Sequence, residues 1–559
     1  MGSSDIATII EQVELLLAEE ELSPRVELAI QKLLNVVEAL SVEKKSLAEE
    51  VDRLRKKLEQ KKNAKTTSSS DGGDKDGAQD SKSDHSSEKR RKGDKPKRKT
   101  TQDRRSFKDL TIHETVECPV DPATLPPDAV RLEDEIVIVQ DIEIKPKNTK
   151  FERQVFYSSA EQQYYRGPLP AGYDHGDFSA NLRALIVTLK YGGNMSEPKI
   201  GEFLQNFAVQ VSAGSISNIL TNTAAEFEPD YHDVLVAGLS STAYQQTDDT
   251  SARVKGEFWH THIVCNPFYT LYSTRPHKDR LAVLGVLQNT DELQFRLGQE
   301  TLELLQTEFS IPHKWEQNIT GLGEVEFTAP EFKTLLDDWF GERNQQLRTA
   351  IEQASAIVYY RHQSSVPIVR TLVCDDAGQF KLVTEKLALC WIHEGRHYEK
   401  LSPVVGRHAA AMDAFLERFW NYYASLQDYR AGPRRELAAK LRGEFDELFS
   451  TRTGYEALDD RIAKTESKRD ELLTVLSEPS VPLHNNASEL GARVSARRRD
   501  VSLHSRSERG ARAMDIFTTI VQTSKKLGLS AFVYLRARLS GSLELPSLGQ
   551  SILQAAASS

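Results

Sequence analysis

At 559 residues the chain is too long to bury one core, so three or four folded units are expected. Apolar residues make up 39% and charged residues 28%, ordinary for a soluble globular protein, which sets aside disordered and collagenous classes. The formal charge of −10 averages over domains and gives nucleic-acid binding no support by itself, so local charge is the better guide.

The first thirty residues are acidic where a signal peptide needs basic charge, so none is expected. No apolar run reaches the ~20 residues of a membrane span. Four cysteines without paired spacing argue for a reducing cytosol. Residues 1–60 are predicted to be a helical, coiled-coil dimerisation region. Leu33, Leu40, Leu47 and Leu54 recur every seven residues, and Ile30, Val37, Val51 and Leu58 fill the other seam position. Lys44 is the polar exception, a device that fixes register or strand number. The bland alternative is one amphipathic helix lying against a globular domain.

Residues 61–106 contain no Val, Ile, Leu, Met or aromatic side chain and are predicted to be a disordered linker, because too little surface can be buried to offset ordering. The later part, "KRRKGDKPKRKTTQDRR", sets ten basic residues against Asp94 and Asp103. Lys89, Arg90, Arg91, Lys97, Arg98 and Lys99 there are candidates for a phosphate-binding arm, and a merely solvated linker is the alternative.

Residues 107–170 are expected to form a small β-rich module, with "RLEDEIVIVQDIEIKP" and "FERQVFYSS" as its strands. In the region 171–239, Ile200, Phe203 and Leu204 share one helical face. Ser212 can cap a following helix that carries Ile216 and Ile219, an order that suggests a helix-turn-helix for DNA.

From 240 to 545 the pattern is α/β. "TAYQQTDDT" reads as a strand ending in two aspartates, "GEFWHTHIVCN" and "FYTLYSTRP" as a hairpin, and "PIVRTLVCDDAGQF" as a strand that also ends in two aspartates. "LALCWIHEGRHYEKL" runs from strand into helix. The region 405–480 is nearly all helical, and "LHNNASELGARVSARRR" brings Glu489 up beside an arginine run. A three-strand meander, then parallel strands with helices, is the topology of a ribonuclease-H-like core. Three converging carboxylates suit two Mg²⁺ ions in a phosphoryl displacement, although a lone Asp more often caps a loop.

Four segments carry a resemblance: "QTDDTSARVKGEFWHTHI", "TLVCDDAGQFKL", "ALCWIHEGRHYEKL" and the stretch from "HNNASELGARVSARRR" to "FVYLRARL". In that order they resemble the motifs of insertion-sequence-66-type bacterial DDE transposases over about residues 100–540. The resemblance implies a multidomain α/β protein: a coiled coil, a small zinc-binding module, a helix-turn-helix and a ribonuclease-H-like catalytic core. Its activity would be metal-dependent cutting of DNA at the ends of an insertion sequence and transfer of the 3′-OH into target DNA.

Matched residue by residue, it implies Asp248, Asp375 and Glu489 as catalytic ligands of two Mg²⁺ ions, with Mn²⁺ as a substitute. Asp249, Asp376, His393, Arg396, Asn485 and Asn486 fall beside them as supports or phosphate contacts. Arg493, Arg497, Arg498 and Arg499 are expected to grip DNA, since cations beside an acidic site offset its repulsion of a polyanion; solvated arginines on a surface helix are the alternative. The implied partners are double-stranded DNA, a second copy through the coiled coil, and accessory proteins encoded alongside, with no membrane. The implied setting is the bacterial cytoplasm and nucleoid.

Two features depart from the family. "CPVD" keeps Cys118 but has Asp121 at the partner position, and "FYSSAEQQYY" lacks the second cysteine pair, so no structural zinc is expected there. The segments between the acids are long, with helical insertions expected near 291–345 and 405–480. Cys390, His393 and His397 have metal-like spacing, but Cys390 belongs to a core strand and no fourth ligand is evident. A structural role is expected for them, with Trp391 either packing or stacking on a base. Residues 546–559 read as a tail. The rival readings are a catalytically lapsed DNA-binding relative, a ribonuclease-H-fold nuclease and a coiled-coil scaffold.

Overall fold

The computed structural model describes residues 12–13, 23–66, 111–121, 124–126, 128–170, 173, 178–341, 343–542 and 544–559, the side chains of 57–66 excepted. Two compact units emerge, one of residues 1–70, 150–206 and 210–559, the other of residues 71–149 and 207–209. The basic arm candidates Lys89, Arg90, Arg91, Lys97, Arg98 and Lys99 lie outside the described residues, as does the linker beyond 66.

Helix α1 (Pro24–Thr66) runs past the predicted boundary at 60, since its Lys, Glu and Gln side chains are good helix formers. Leu34 is buried against Val405, flanked by Ile30 and Val37. Glu38 is buried too; its carboxylate accepts from the backbone N–H of Val404 at 2.7 Å and of Val405 at 3.2 Å. Early α1 therefore lies against its own chain, as the bland alternative held. Leu33, Leu40, Leu47 and Leu54 stay 48–64% exposed.

In the smaller unit the run 131–146 forms no strand among the described residues. Ile136 is 85% exposed, because no neighbouring strand meets its backbone, and β composition alone cannot supply a partner edge. Among the described residues, the only pairing in the predicted β module is the hairpin of β1 (Val155–Ser158) and β2 (Gln163–Arg166).

Four helices follow: α2 (Ala180–Tyr191), α3 (Glu197–Asn206), α4 (Ala213–Asn222) and α5 (Glu228–Ser240). As read from sequence, Ile200, Leu204 and Ile216 are buried, and the Ser212 hydroxyl accepts the N–H of Ser215 at 3.0 Å to start α4.

The central sheet holds β3 (Tyr244–Val254), β4 (Glu257–Cys265), β5 (Thr270–Arg275), β8 (Thr371–Cys374) and β9 (Lys386–Leu389), in the spatial order β5-β4-β3-β8-β9. The first three are antiparallel; β8 runs parallel to both β3 and β9. This mixed α/β arrangement is consistent with a ribonuclease-H-like core. β3 does not end at its aspartates but continues to a turn at Lys255-Gly256, both at positive φ, the conformation tight hairpins require.

Helix α6 (Arg280–Gln288) crosses to an insertion that is not purely helical. β6 (Gln294–Leu297) and β7 (Val325–Thr328) pair within it, among α7 (Gln299–Glu308), α8 (Glu316–Leu322) and α9 (Ala329–Phe340). Next comes α10 (Gln345–His362). After β9, α11 (Trp391–Glu399) leads into α12 (Gly406–Ala431), α13 (Arg435–Phe449) and α14 (Glu456–Glu466). Trp391 is fully buried among Phe419, Tyr422, Phe445 and Phe449, and its indole N–H donates to the Leu472 carbonyl at 2.9 Å. It packs, and has no face for a base.

After two single-turn helices, α15 and α16 (Arg469–Leu472 and Thr474–Ser477), come α17 (Asn486–Val501), α18 (Glu508–Lys526), α19 (Ala531–Leu539) and α20 (Leu548–Ala557). The predicted tail is thus a docked helix. Ser547 and Gln550 form a capping box, and Leu548 and Ile552 are fully buried. Their four-residue spacing puts both on one face, a signal too short to stand out in the sequence.

Helix α17 lies close on the sheet because of Gly491: a Cβ there would sit 2.8 Å from the Ile263 methyl Cγ2. Gly491→Ala is expected to destabilise the core by about 1–3 kcal/mol, the usual cost of overpacking. Denaturant unfolding checks this, and an unchanged midpoint would refute the close approach.

Candidate active site

Asp248 and Asp375 are brought together by strand pairing. Gln246 on β3 is in register with Val373 on β8; two residues on in each strand direction stand Asp248 and Asp375, at the same end of adjacent parallel strands. Side chains alternate along β3, so Asp248 shares the sheet face of its partner Ile263, against which α17 packs, while Asp249 shares that of His262.

Glu489 lies in the first turn of α17. Two bonds tether that turn to β3: the Asn485 amide donates to the Thr247 carbonyl at 2.6 Å, and the Ser488 hydroxyl to the same oxygen at 3.3 Å. Asn485 therefore holds the backbone immediately before Asp248 rather than the Glu489 carboxylate. The backbone N–H of Asn486 reaches His484 Nδ1 at 3.4 Å.

Asp248 is pushed up to about 7 by burial, together with the charges of Asp375, Asp249 and Glu489, against a single backbone N–H that favours ionisation. Burial likewise raises Asp375, and His393 opposes that shift. The neighbouring aspartates are differently placed. Asp376 takes Lys468 at 2.6 Å and Lys381 at 3.2 Å, which outweigh its burial and hold it below the usual carboxylate range. Asp249 accepts from Gln379 at 2.8 Å and faces Lys278 at 3.7 Å. Each has cations of its own, whereas Asp248 has only acids around it.

Glu489 has turned partly aside. Its carboxylate faces Arg396 Nη2 at 3.5 Å and His393 Nε2 at 3.7 Å rather than the i+4 residue Arg493. Among the described residues, the cluster whose ligand atoms all lie within 4.8 Å of one another is Cys390, His393 and Glu489, not the three acids. His397 is no part of it.

The arginine run divides. Arg498 is only 6% exposed; it donates to the Tyr191 carbonyl at 2.6 Å and to the Thr518 hydroxyl, and stacks over the Tyr191 ring. It cannot grip DNA as expected, because its guanidinium is consumed inside the core. Arg499 is spent on the Thr250 hydroxyl and the Ser251 carbonyl. Arg497 is exposed and Arg493 half-buried.

Sequence reasoning missed Asp515 on α18. It is buried, raised to about 6 by that burial, and accepts both the N–H and the hydroxyl of Thr274 at 2.7 Å. It pins α18 to β5, and its spacing in the sequence gives no sign of it.

Comparison with known proteins bears on this geometry. The family pattern described as "Transposase IS66 family" matches residues 341–513. An uncharacterized protein, y4jO, of Sinorhizobium fredii (strain NBRC 101917 / NGR234) is 32% identical over 314 residues, covering 55% of this chain and 94% of the relative. The chain belongs to the IS66 transposase family. The matched range takes in Asp375 and Glu489 but starts after Asp248, so the place of the first acid rests on the β3–β8 pairing. Family membership suggests a DNA-processing enzyme. No helix among the described residues is long and apolar enough to cross a membrane.

Two outcomes follow. Asp248 keeps its proton to about pH 7 when folded but only to about 4 unfolded. The proton therefore favours folding between those values, and that contribution is lost as pH rises through 7. Asp248→Asn, which mimics the protonated acid, should be more stable than the parent at pH 8 in chelator by about 1–2 kcal/mol, once solvent screening is discounted. It should match the parent near pH 4, and equal melting at both pH values would refute the crowding of acids. Arg498→Ala should cost about 2–4 kcal/mol of stability by orphaning buried partners, whereas Arg497→Ala should leave melting unchanged and weaken DNA binding in a salt-dependent way.

Proposed function

We propose that this protein is a DNA transposase that cleaves phosphodiesters at the ends of an insertion sequence and transfers the exposed 3′-OH into target DNA. The observation that carries the reading is the placement of Asp248, within β3, beside Asp375, directly after the parallel β8, with the Glu489 helix tied to the residue before Asp248. Oxygen-only donors, with Asp248 crowded by other acids, fit Mg²⁺, or Mn²⁺ in its stead; Asp248, Asp375 and Glu489 would hold two such ions. When bound, they would lower the pKa of the attacking water and stabilise the leaving oxygen.

The chain's own residues have separate tasks. Arg396 and His393 engage the Glu489 carboxylate to one side of the aspartates, from where it would swing to share the ions, and Lys468 and Lys381 neutralise Asp376 so that Asp375 is the carboxylate left for the reaction centre. Arg493 and Arg497 seat the scissile strand by its phosphates. Helices α3 and α4 serve as the helix-turn-helix that holds element ends, helped by the basic residues from Lys89 to Lys99. The exposed Leu33, Leu40, Leu47 and Leu54 stripe pairs two subunits, so that both ends of one element are held in one complex. Accessory proteins encoded alongside would act on that complex.

The test uses a duplex bearing the element's end. Wild-type protein should nick it only with Mg²⁺ or Mn²⁺ and give strand-transfer products with defined ends. Asp248→Asn should lose at least a thousandfold in nicking while binding the duplex as before. Salt-sensitive binding without any nicking would assign the lapsed reading, and nicking without transfer a nuclease.

A further inference from the structure

We infer that Cys390, His393 and Glu489 form a Zn²⁺-selective site that draws Glu489 away from the two aspartates and so switches the acidic site off. Three elements that are distant in sequence build it. Cys390 ends the β9 edge: its N–H donates to the Cys374 carbonyl at 3.0 Å, next to Asp375. His393 is one turn on in α11, and Glu489 comes from α17. Their donor atoms lie within 4.8 Å of one another, against the roughly 3.5 Å edges of a tetrahedron with ~2.0–2.3 Å bonds, so a shift of about 1 Å closes them on one ion.

The donor set selects the metal. Thiolate and imidazole are the ligands of Zn²⁺, whereas Mg²⁺ takes oxygen and rejects sulfur. Burial pushes the Cys390 thiol up to about 11, so the thiolate forms only as the cation arrives, and the surrounding backbone is arranged to receive that charge. The sulfur sits at the start of α11, and the backbone N–H groups of Asn485 (3.2 Å), Ile392 and His393 are directed at it, as helix N-termini favour thiolates. When the ion binds, the S–H proton goes to solvent, a S–Zn bond replaces it, and the fourth position is left to water. Arg396 beside Glu489 opposes the cation, and the new thiolate offsets that charge. The sequence spacing had offered His397 as the third ligand; folding substitutes Glu489.

Competition follows from Glu489, one carboxylate serving both centres. The inhibition rests on the transposase reading above, whereas the binding does not.

The probe is Co²⁺ alone, added to the full chain without DNA or Mg²⁺. One equivalent should bind with a thiolate-to-cobalt charge-transfer band, and Zn²⁺ should displace it. Cys390→Ser should abolish the band, Cys118→Ser, at the exposed cysteine, should keep it, and Glu489→Gln, of nearly equal volume, should weaken binding at least tenfold. A band that survives Cys390→Ser, or no band in the wild type, overturns the site.

With end-bearing duplex and Mg²⁺, Zn²⁺ at the concentration that displaces cobalt should cut wild-type nicking at least tenfold. Relative to its own zinc-free rate, Cys390→Ser should be inhibited far less. Equal inhibition of both would overturn the coupling, while a cobalt band without any nicking would remove only the transposase reading.

Discussion

The Thr247 carbonyl is the point on which the site depends. It accepts from both Asn485 and Ser488, and it belongs to the peptide that precedes Asp248. Two buried donors to one carbonyl fix α17 along the strand to within a hydrogen bond, and Gly491 lets the helix come down onto Ile263. Each such bond is worth only about 1 kcal/mol net, yet leaving its buried partners unmade costs more. Position, rather than energy, is what the anchor supplies: it sets which turn of α17 faces the ends of β3 and β8.

That anchor explains the charge distribution around it. Five acidic side chains meet at one end of the sheet, and the fold answers each differently. Asp376 receives two lysines, Asp249 a lysine and an amide, and Glu489 a guanidinium and an imidazole. Asp248 is left with burial, its acidic neighbours and one backbone N–H, and Asp375 with burial, one backbone N–H and the charge of His393. Lys468 serves twice, reaching Glu394 at 3.4 Å as well as Asp376, and Glu394 in turn takes Arg461 and Thr465. The helical insertion of α12, α13 and α14 thus does more than cover Trp391: Lys468, just after α14, is one of the two cations that neutralise Asp376.

Much of this was legible in the sequence where the signal is local. The aspartate pair that follows β8, the Ser212 cap and the apolar faces of α3 and α4 are written in neighbouring residues, whereas the end of β3 is not, since it runs on past its own aspartates. What was not legible depends on partners. Strand composition at 131–146 does not create a ladder without an edge to join. The arginines 493–499 look equivalent in a row, but a helix turns each 100° from the last, and so Arg498 is swept into the core while Arg497 faces water. The third member of the Cys390 cluster is 99 residues away in the chain, beyond any spacing rule. Leu548 and Ile552 read as tail residues because two apolar positions carry no periodicity until α5 offers a surface for them.

The heptad in α1 shows the same limit from the other side. The predicted seam divides on folding: Ile30 and Val37 turn toward Val405 together with Leu34, a residue outside the heptad positions, while Leu33, Leu40, Leu47 and Leu54 remain open. Glu38 strengthens the division, since its buried carboxylate takes two backbone N–H groups and faces His408 Nδ1 at 3.2 Å, and His408 stacks on Tyr455. A buried carboxylate with so many donors cannot be exchanged for a coiled-coil partner without leaving them unpaired. The inner turns of α1 are thus committed to the body, and the outer leucines are heptad positions that stay exposed.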